Sequence, residues 1–83
     1  MNIQHSVLMN EFISFWFYTS VNGEELYETD LDFHSMEWRL SFKDTEDSSF
    51  HKEPIRKYRG INEEEAEIKR IKTEVERIIR SKA

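Results

Sequence analysis

Cysteine is absent from all 83 residues, so neither disulfides nor thiolate-bound zinc holds this chain together, which fits a reducing cytoplasm. Glycine is nearly absent as well. Gly23 and Gly60 are the only two, and neither lies in a phosphate-cradling pattern, which excludes the usual nucleotide loops. No basic N-terminal segment leads into an apolar core, and no apolar run approaches the roughly 20 residues that span a bilayer. The chain therefore reads as soluble, cytoplasmic and without a membrane partner. Catalytic constellations are missing too, for no nucleophile, base and oxyanion donor can be assembled. His5, His34 and His51 lack ligand spacing and read as surface or turn residues. The expectation is a protein that is not an enzyme and that uses no metal or cofactor.

Aromatic residues are plentiful by contrast: two Trp, three Tyr and six Phe, enough for the core of one small domain over residues 1–83. Most fall between Phe12 and Lys43. Asn22-Gly23 separates two aromatic and β-branched runs there, the strongest short-range hairpin signal, because both residues tolerate positive φ. Two registers compete. A two-residue turn sets Phe15 opposite Asp30 and Ile13 opposite Asp32, with carboxylates among apolar side chains. A three-residue loop Val21-Asn22-Gly23 sets Phe17 opposite Tyr27, Phe15 opposite Thr29 and Ile13 opposite Leu31, and is preferred. A tight turn at His34-Ser35 then places Leu31 opposite Trp38, Thr29 opposite Leu40 and Tyr27 opposite Phe42. The third strand alternates Met36, Trp38, Leu40 and Phe42 inward with Glu37, Arg39, Ser41 and Lys43 outward.

The inner face of such a sheet needs a cover, and the C-terminal segment supplies one. Ala66, Ile68, Ile71, Val75, Ile78 and Ile79 form an apolar stripe on an otherwise charged segment from Asn62 to Arg80, an amphipathic helix of about five turns. Asn62 is placed to cap it and Glu65 to complete a capping box, with Glu63, Glu64 and Glu65 at the positive end of the dipole. The interleaved Glu67, Lys69, Arg70, Lys72, Glu74, Glu76, Arg77 and Arg80 read as a salt-bridged solvent face. The predicted fold is α+β, a three-stranded antiparallel meander packed by one long C-terminal helix. Met1 to Asn10 reads as a lead-in or an extension of the first strand. Asp44 to Ser49 is a solvated loop, and Phe50 to Gly60 is an irregular connection with room for a short edge strand at 55–58.

Charge is divided unevenly along the chain. Residues 1–50 carry ten carboxylates against Arg39 and Lys43, whereas residues 51–83 carry seven against ten bases. Besides Glu11, the acids of the sheet half are Glu24, Glu25, Glu28, Asp30, Asp32 and Glu37, followed by Asp44, Glu46 and Asp47 in the loop. Glu28, Asp30 and Asp32 alternate on one strand, point the same way, and repeat about every 7 Å, a solvated row rather than a catalytic pair. Phe12, Trp16 and Tyr18 share that outer face, with Arg39 opposite Asp30. Large aromatics ringed by polar groups are frequent anchors of protein interfaces, unless the N-terminal segment or the 50–60 connection covers them.

A carboxylate row of this repeat roughly echoes phosphates along a DNA strand. In small size, acidity, lack of cysteine and absence of catalytic residues, the chain resembles the small phage-encoded inhibitors that occupy the nucleic-acid site of a host protein by mimicking DNA. The resemblance is one of kind and carries no motif, so it transfers no residues. It implies a non-enzymatic inhibitor of a basic DNA-binding protein of the host; the charge of the sheet half, not the resemblance, places the docking surface at Glu24, Glu25, Glu28, Asp30, Asp32, Glu37, Asp44, Glu46 and Asp47, anchored by Trp16 and Tyr18. Direct nucleic-acid binding by a β-β-β-α sheet domain is disfavoured by the sign of that face. From another class, the alternative is a structural or regulatory homo-oligomer, a homodimer for instance, that shares the exposed aromatics and the helix stripe between subunits.

Overall fold

The computed structural model describes residues 1–12, 14–45, 48–56 and 61–82, with helix side chains from Glu64 onward. Among the described residues there are six strands: β1 (Ile3–His5), β2 (Met9–Glu11), β3 (Ser14–Val21), β4 (Glu24–Asp32), β5 (Glu37–Phe42) and β6 (His51–Pro54). One helix follows, α1 (Ile61–Lys82). The class is α+β, as expected, but the sheet is wider than a three-stranded meander. Its order is β1-β3-β4-β5-β6, and β2 also pairs with β3. All pairings are antiparallel.

Both added edges rest on interactions that hydrophobic periodicity does not report. The N-terminal segment is held by backbone and polar side-chain bonds: the Asn2 amide donates to Asn22 Oδ1 at 2.9 Å, and the Tyr18 amide donates to Ser6 Oγ at 2.9 Å. At the other edge the strand is 51–54, upstream of the predicted 55–58. Pro54 ends it, where its missing N–H costs no ladder bond. Ile55 lies beyond the strand and is buried in the core, while positions 57 and 58 of the expected strand fall outside the described residues.

The first hairpin corrects the preferred register. The turn is the two-residue Asn22-Gly23, with both residues at positive φ (52° and 84°), and Val21 faces Glu24. A β-bulge between Thr19 and Ser20 then leaves Leu26 as the extra residue of β4, so that beyond it Tyr18 faces Glu28, Trp16 faces Asp30 and Phe15 faces Leu31. This removes the clash of carboxylates with apolar side chains that argued against a two-residue turn. The offset from the predicted pairing is two residues, an even number, so every side chain past the bulge keeps its predicted face. Ile13 lies outside the described residues. The second hairpin has the predicted register, Leu31 with Trp38 and Thr29 with Leu40. Its connection is longer than a two-residue turn and runs through Met36 at φ 58°, fastened by the His34 and Ser35 amides donating to Asp32 Oδ1.

Inside, Phe17, Leu31, Trp38 and Leu40 of the sheet meet Ile71, Val75, Ile78 and Ile79 of α1, all buried. The stripe needs two corrections. Ala66 is exposed, and Glu67, read as solvent-facing, is only 7 % exposed. Glu67 tolerates burial because its carboxylate accepts from the Arg56 amide at 3.1 Å and from Arg70 Nε at 3.0 Å. Burial pushes its pKa up, but those donors win and hold it below the ordinary value. The helix opens at Ile61, so Asn62 lies in its first turn rather than before it; the capping side chains of 62 and 63 fall outside the described residues. Phe42, expected inside, is 48 % exposed at the sheet's end, where it packs on Phe50 beneath Lys82 Nζ, 3.9 Å from the Phe50 ring centroid. Two of the three histidines also depart from a surface role. The His5 ring stands edge-on to Phe17 with Nδ1 2.9 Å from Thr19 Oγ1, and the His51 ring lies 5.3 Å from Trp38. Among the described residues no helix is long and apolar enough to cross a membrane, and no group of three or more His, Asp or Glu is disposed to hold a metal.

Candidate functional site

The outer face of the sheet is built in three rungs that follow from the register. Tyr18, Glu28 and Ser41 lie side by side across β3, β4 and β5; Trp16, Asp30 and Arg39 form the next rung; Ser14, Asp32 and Glu37 form the third. Strand alternation puts all nine on the side opposite the helix. The middle column is thus entirely acidic. It is flanked by aromatics on β3 and by polar residues on β5. The segment after β5 turns back over this face, through Asp44 at φ 63°, and with it encloses a cleft of about 290 Å³. Glu28, Asp30, Asp32, Glu37, Arg39 and Ser41 line the cleft on the sheet side, and Thr45, Ser48 and Ser49 close it from the loop.

The four carboxylates are not equivalent. Asp32 is engaged by the turn amides of Ser35 and His34, which hold its pKa below the ordinary range. Glu37 accepts from Arg39 Nε at 3.2 Å. Arg39, although opposite Asp30 as predicted, therefore neutralises a different acid. Glu28 and Asp30 have no basic partner among the described residues. Burial of Glu28 against the sheet, reinforced by the adjacent Asp30 carboxylate and by Asp44, pushes the Glu28 carboxyl up to about 7, against the opposing hydrogen bond from Tyr18.

Of the residues expected to bind a partner, the cleft gathers Glu28, Asp30, Asp32 and Glu37. Glu25 lies on the same face but is tied to Lys43, 2.7 Å away, and Lys43 Nζ also sits 5.3 Å from the Tyr18 ring centroid. Glu24 is a correction. The bulge places it opposite Val21, whose side chain packs toward the core, so Glu24 leaves the acidic face. Asp44 is exposed at the rim, and Glu46 and Asp47 lie outside the described residues. Trp16 and Tyr18 stand on the outer face, half-buried, with Met9 of β2 beside Trp16 as partial cover. Phe12 does not join them: it sits in the turn before β3 at φ 58° and is 93 % exposed. Ser41 was missed as a site residue, although its outward position opposite Glu28 was legible from the second hairpin. What the sequence does not signal is the return of the loop over it.

The unusual Glu28 carboxyl has a consequence for stability. A group whose pKa is raised on folding stabilises the fold while protonated, so its contribution is full at acidic pH and is lost as pH rises through about 7. Glu28→Gln keeps the neutral shape. Urea midpoints at pH 5.5 and 8 are expected to fall for the native chain over this interval and to fall less for the variant, which becomes the more stable of the two at pH 8. Equal pH dependence in both proteins would refute the buried-acid description. No family model matches the chain, and neither a curated protein nor a solved structure matches it.

Proposed function

We propose that the protein is a non-enzymatic inhibitor that lays its acidic outer sheet face on the nucleic-acid site of a basic DNA-binding protein of its host. The observation that carries this reading is the acidic column Glu28-Asp30-Asp32, joined by Glu37 on the same face and open to solvent through the cleft. Its repeat of about 7 Å along the strand is that of successive phosphates to within the tolerance of flexible Lys and Arg side chains. The basic residues of α1 lie on the other layer and do not neutralise it. Partly covered Trp16 and Tyr18 supply apolar contact beside the charge, the arrangement of an interface that is steered by electrostatics and held by aromatic anchors.

Competition is the test. A host DNA-binding protein retained by the immobilised chain, and loaded with labelled duplex, is expected to release the duplex when stoichiometric free chain is added at low salt. Release should weaken as salt approaches about 0.5 M, where the Debye length falls to a few ångströms. The chain alone should retain no duplex. Direct retention of DNA, or a ternary complex without release, would defeat the mimic reading. The homo-oligomer alternative keeps only part of its basis, because Ile71 and Val75 of the helix stripe are fully consumed by the sheet. What favours it is Phe12, with Val7 80 % exposed on the same edge. Self-association through these would survive high salt, which light scattering distinguishes from docking on a basic protein.

A further inference from the structure

We infer that the cleft over Glu28, Asp30 and Ser41 is a socket for one arginine side chain of the basic partner, which makes the outer face selective for guanidinium over ammonium. The inference rests on the acidic-face reading above and narrows it to a point of contact. Two acids drop out first, since Asp32 is satisfied by turn amides and Glu37 by Arg39. That leaves Glu28 and Asp30, neighbours on β4 that point the same way, as the cleft's acids without a basic partner among the described residues, Glu28 being engaged by the Tyr18 hydroxyl and by Asp30 alone. Beside them Ser41 is 6 % exposed and lines the cleft, yet its hydroxyl has no hydrogen-bond partner among the described residues. Its oxygen opens into the cleft rather than being sealed inside the fold, so a donor that enters the cleft can reach it.

Size and donor geometry select the occupant. At about 290 Å³ the cleft falls just below the roughly 300–1,000 Å³ of drug-sized sites, and takes one long side chain rather than a whole small molecule. Its acceptors lie on two adjacent rungs: the Glu28 carboxyl and the Ser41 hydroxyl on one, Asp30 on the next. The loop wall adds two more, because Thr45 and Ser48 donate their hydroxyl protons to the carbonyls of Phe42 and Thr45 and so keep lone pairs free. A guanidinium carries five N–H donors in a rigid planar fork and bridges such a spread, whereas an ammonium concentrates its donors at one point. The groups facing Glu28 are Tyr18 on β3, Asp30 on its own strand, Ser41 on β5 and Asp44 beyond it. None is basic.

The test uses the full chain and two probes, a seven-residue glycine–serine peptide with one central arginine and its lysine twin, both end-capped, titrated by NMR at pH 8 and low salt. The arginine peptide is expected to bind roughly tenfold more tightly, the worth of about one hydrogen bond to a charged group. Its largest shifts should fall at Glu28, Asp30 and Ser41. Ser41→Ala should remove most of that preference while leaving the lysine peptide unchanged. Glu28→Gln should weaken the arginine peptide at pH 8 but match the native chain at pH 6, where Glu28 is already protonated; a merely structural role would not give this convergence. Equal binding of the two peptides, with shifts spread over the acidic face, would overturn the socket and leave acidic-face docking standing. An arginine preference insensitive to Ser41→Ala would also overturn it. Binding of neither peptide would remove the acidic-face reading as well.

Discussion

Replacing Trp38 with Ala is expected to lower the melting temperature by roughly 15–30 °C. Trp38 is fully buried at the centre of the inner face, flanked by Leu31 on β4 and Glu53 on β6, with the His51 ring 5.3 Å away. Truncating a buried Trp to Ala costs about 3–5 kcal/mol, because the lost transfer energy is joined by a cavity that the fold only partly fills. In a domain of this size each kcal/mol moves the midpoint by roughly 4–8 °C, and total stability is only about 5–15 kcal/mol. Trp38→Phe separates volume from chemistry. The indole Nε1 is buried without a hydrogen-bond partner among the described residues, so the phenyl ring removes an unsatisfied donor along with some volume and is expected to cost far less. Calorimetry of both variants decides the matter. Near-native melting of Trp38→Ala would mean that the helix and sheet do not pack through this residue.

The inner face was legible for a simple reason. Strict alternation from Met36 to Lys43 and a 3.6-residue stripe from Ile68 to Ile79 are both statements about burial, and burial is what hydrophobic periodicity encodes. The failures lie where other forces decide. The bulge that admits Leu26 is a backbone event. It was invisible in composition, and it moved Glu24 off the acidic face while sparing Glu28, Asp30 and Asp32 because the net offset was even. The N-terminal strands are fixed by Asn2, Ser6 and Asn22, polar residues whose tertiary partners no local pattern names. Glu67 was misread because a charged residue on a helix is normally solvated. Its burial is sustained by Arg70 one turn on along the helix together with the Arg56 amide, which arrives from the preceding segment and which no helical pattern names. The cleft itself depends on a loop folding back over Ser41, a long-range contact between residues that carry no hydrophobic signal.

The second large effect is functional, and the structure changes how it should be sought. Reversing Glu28, Asp30 and Asp32 together would confuse two roles, because Asp32 holds the β4–β5 turn through the His34 and Ser35 amides, and loss of such a side-chain cap costs about 0.5–2 kcal/mol. Glu28→Lys with Asp30→Lys is the cleaner variant: neither residue bonds a turn amide, and both point away from the core. At pH 8, where Glu28 is ionised, the change takes this pair of positions from two negative charges to two positive ones. Electrostatic focusing raises on-rates for a complementary partner by about 10–10³, and like charges facing one another cost several kcal/mol. Association with the basic partner is therefore expected to slow by at least an order of magnitude and the complex to become undetectable at micromolar concentration. Trp16→Ala should act differently, leaving the association rate nearly unchanged and speeding dissociation, since apolar anchors engage after encounter. The native chain should also bind more tightly at pH 8 than at pH 6, as Glu28 gives up its proton to face a cation, and the double variant should lose that dependence. Surface plasmon resonance at the two pH values reads all three effects. If the double reversal leaves both rates unchanged while circular dichroism shows a folded protein, the partner does not dock on the face that carries Glu28 and Asp30, and the exposed edge at Val7 and Phe12 becomes the place to look.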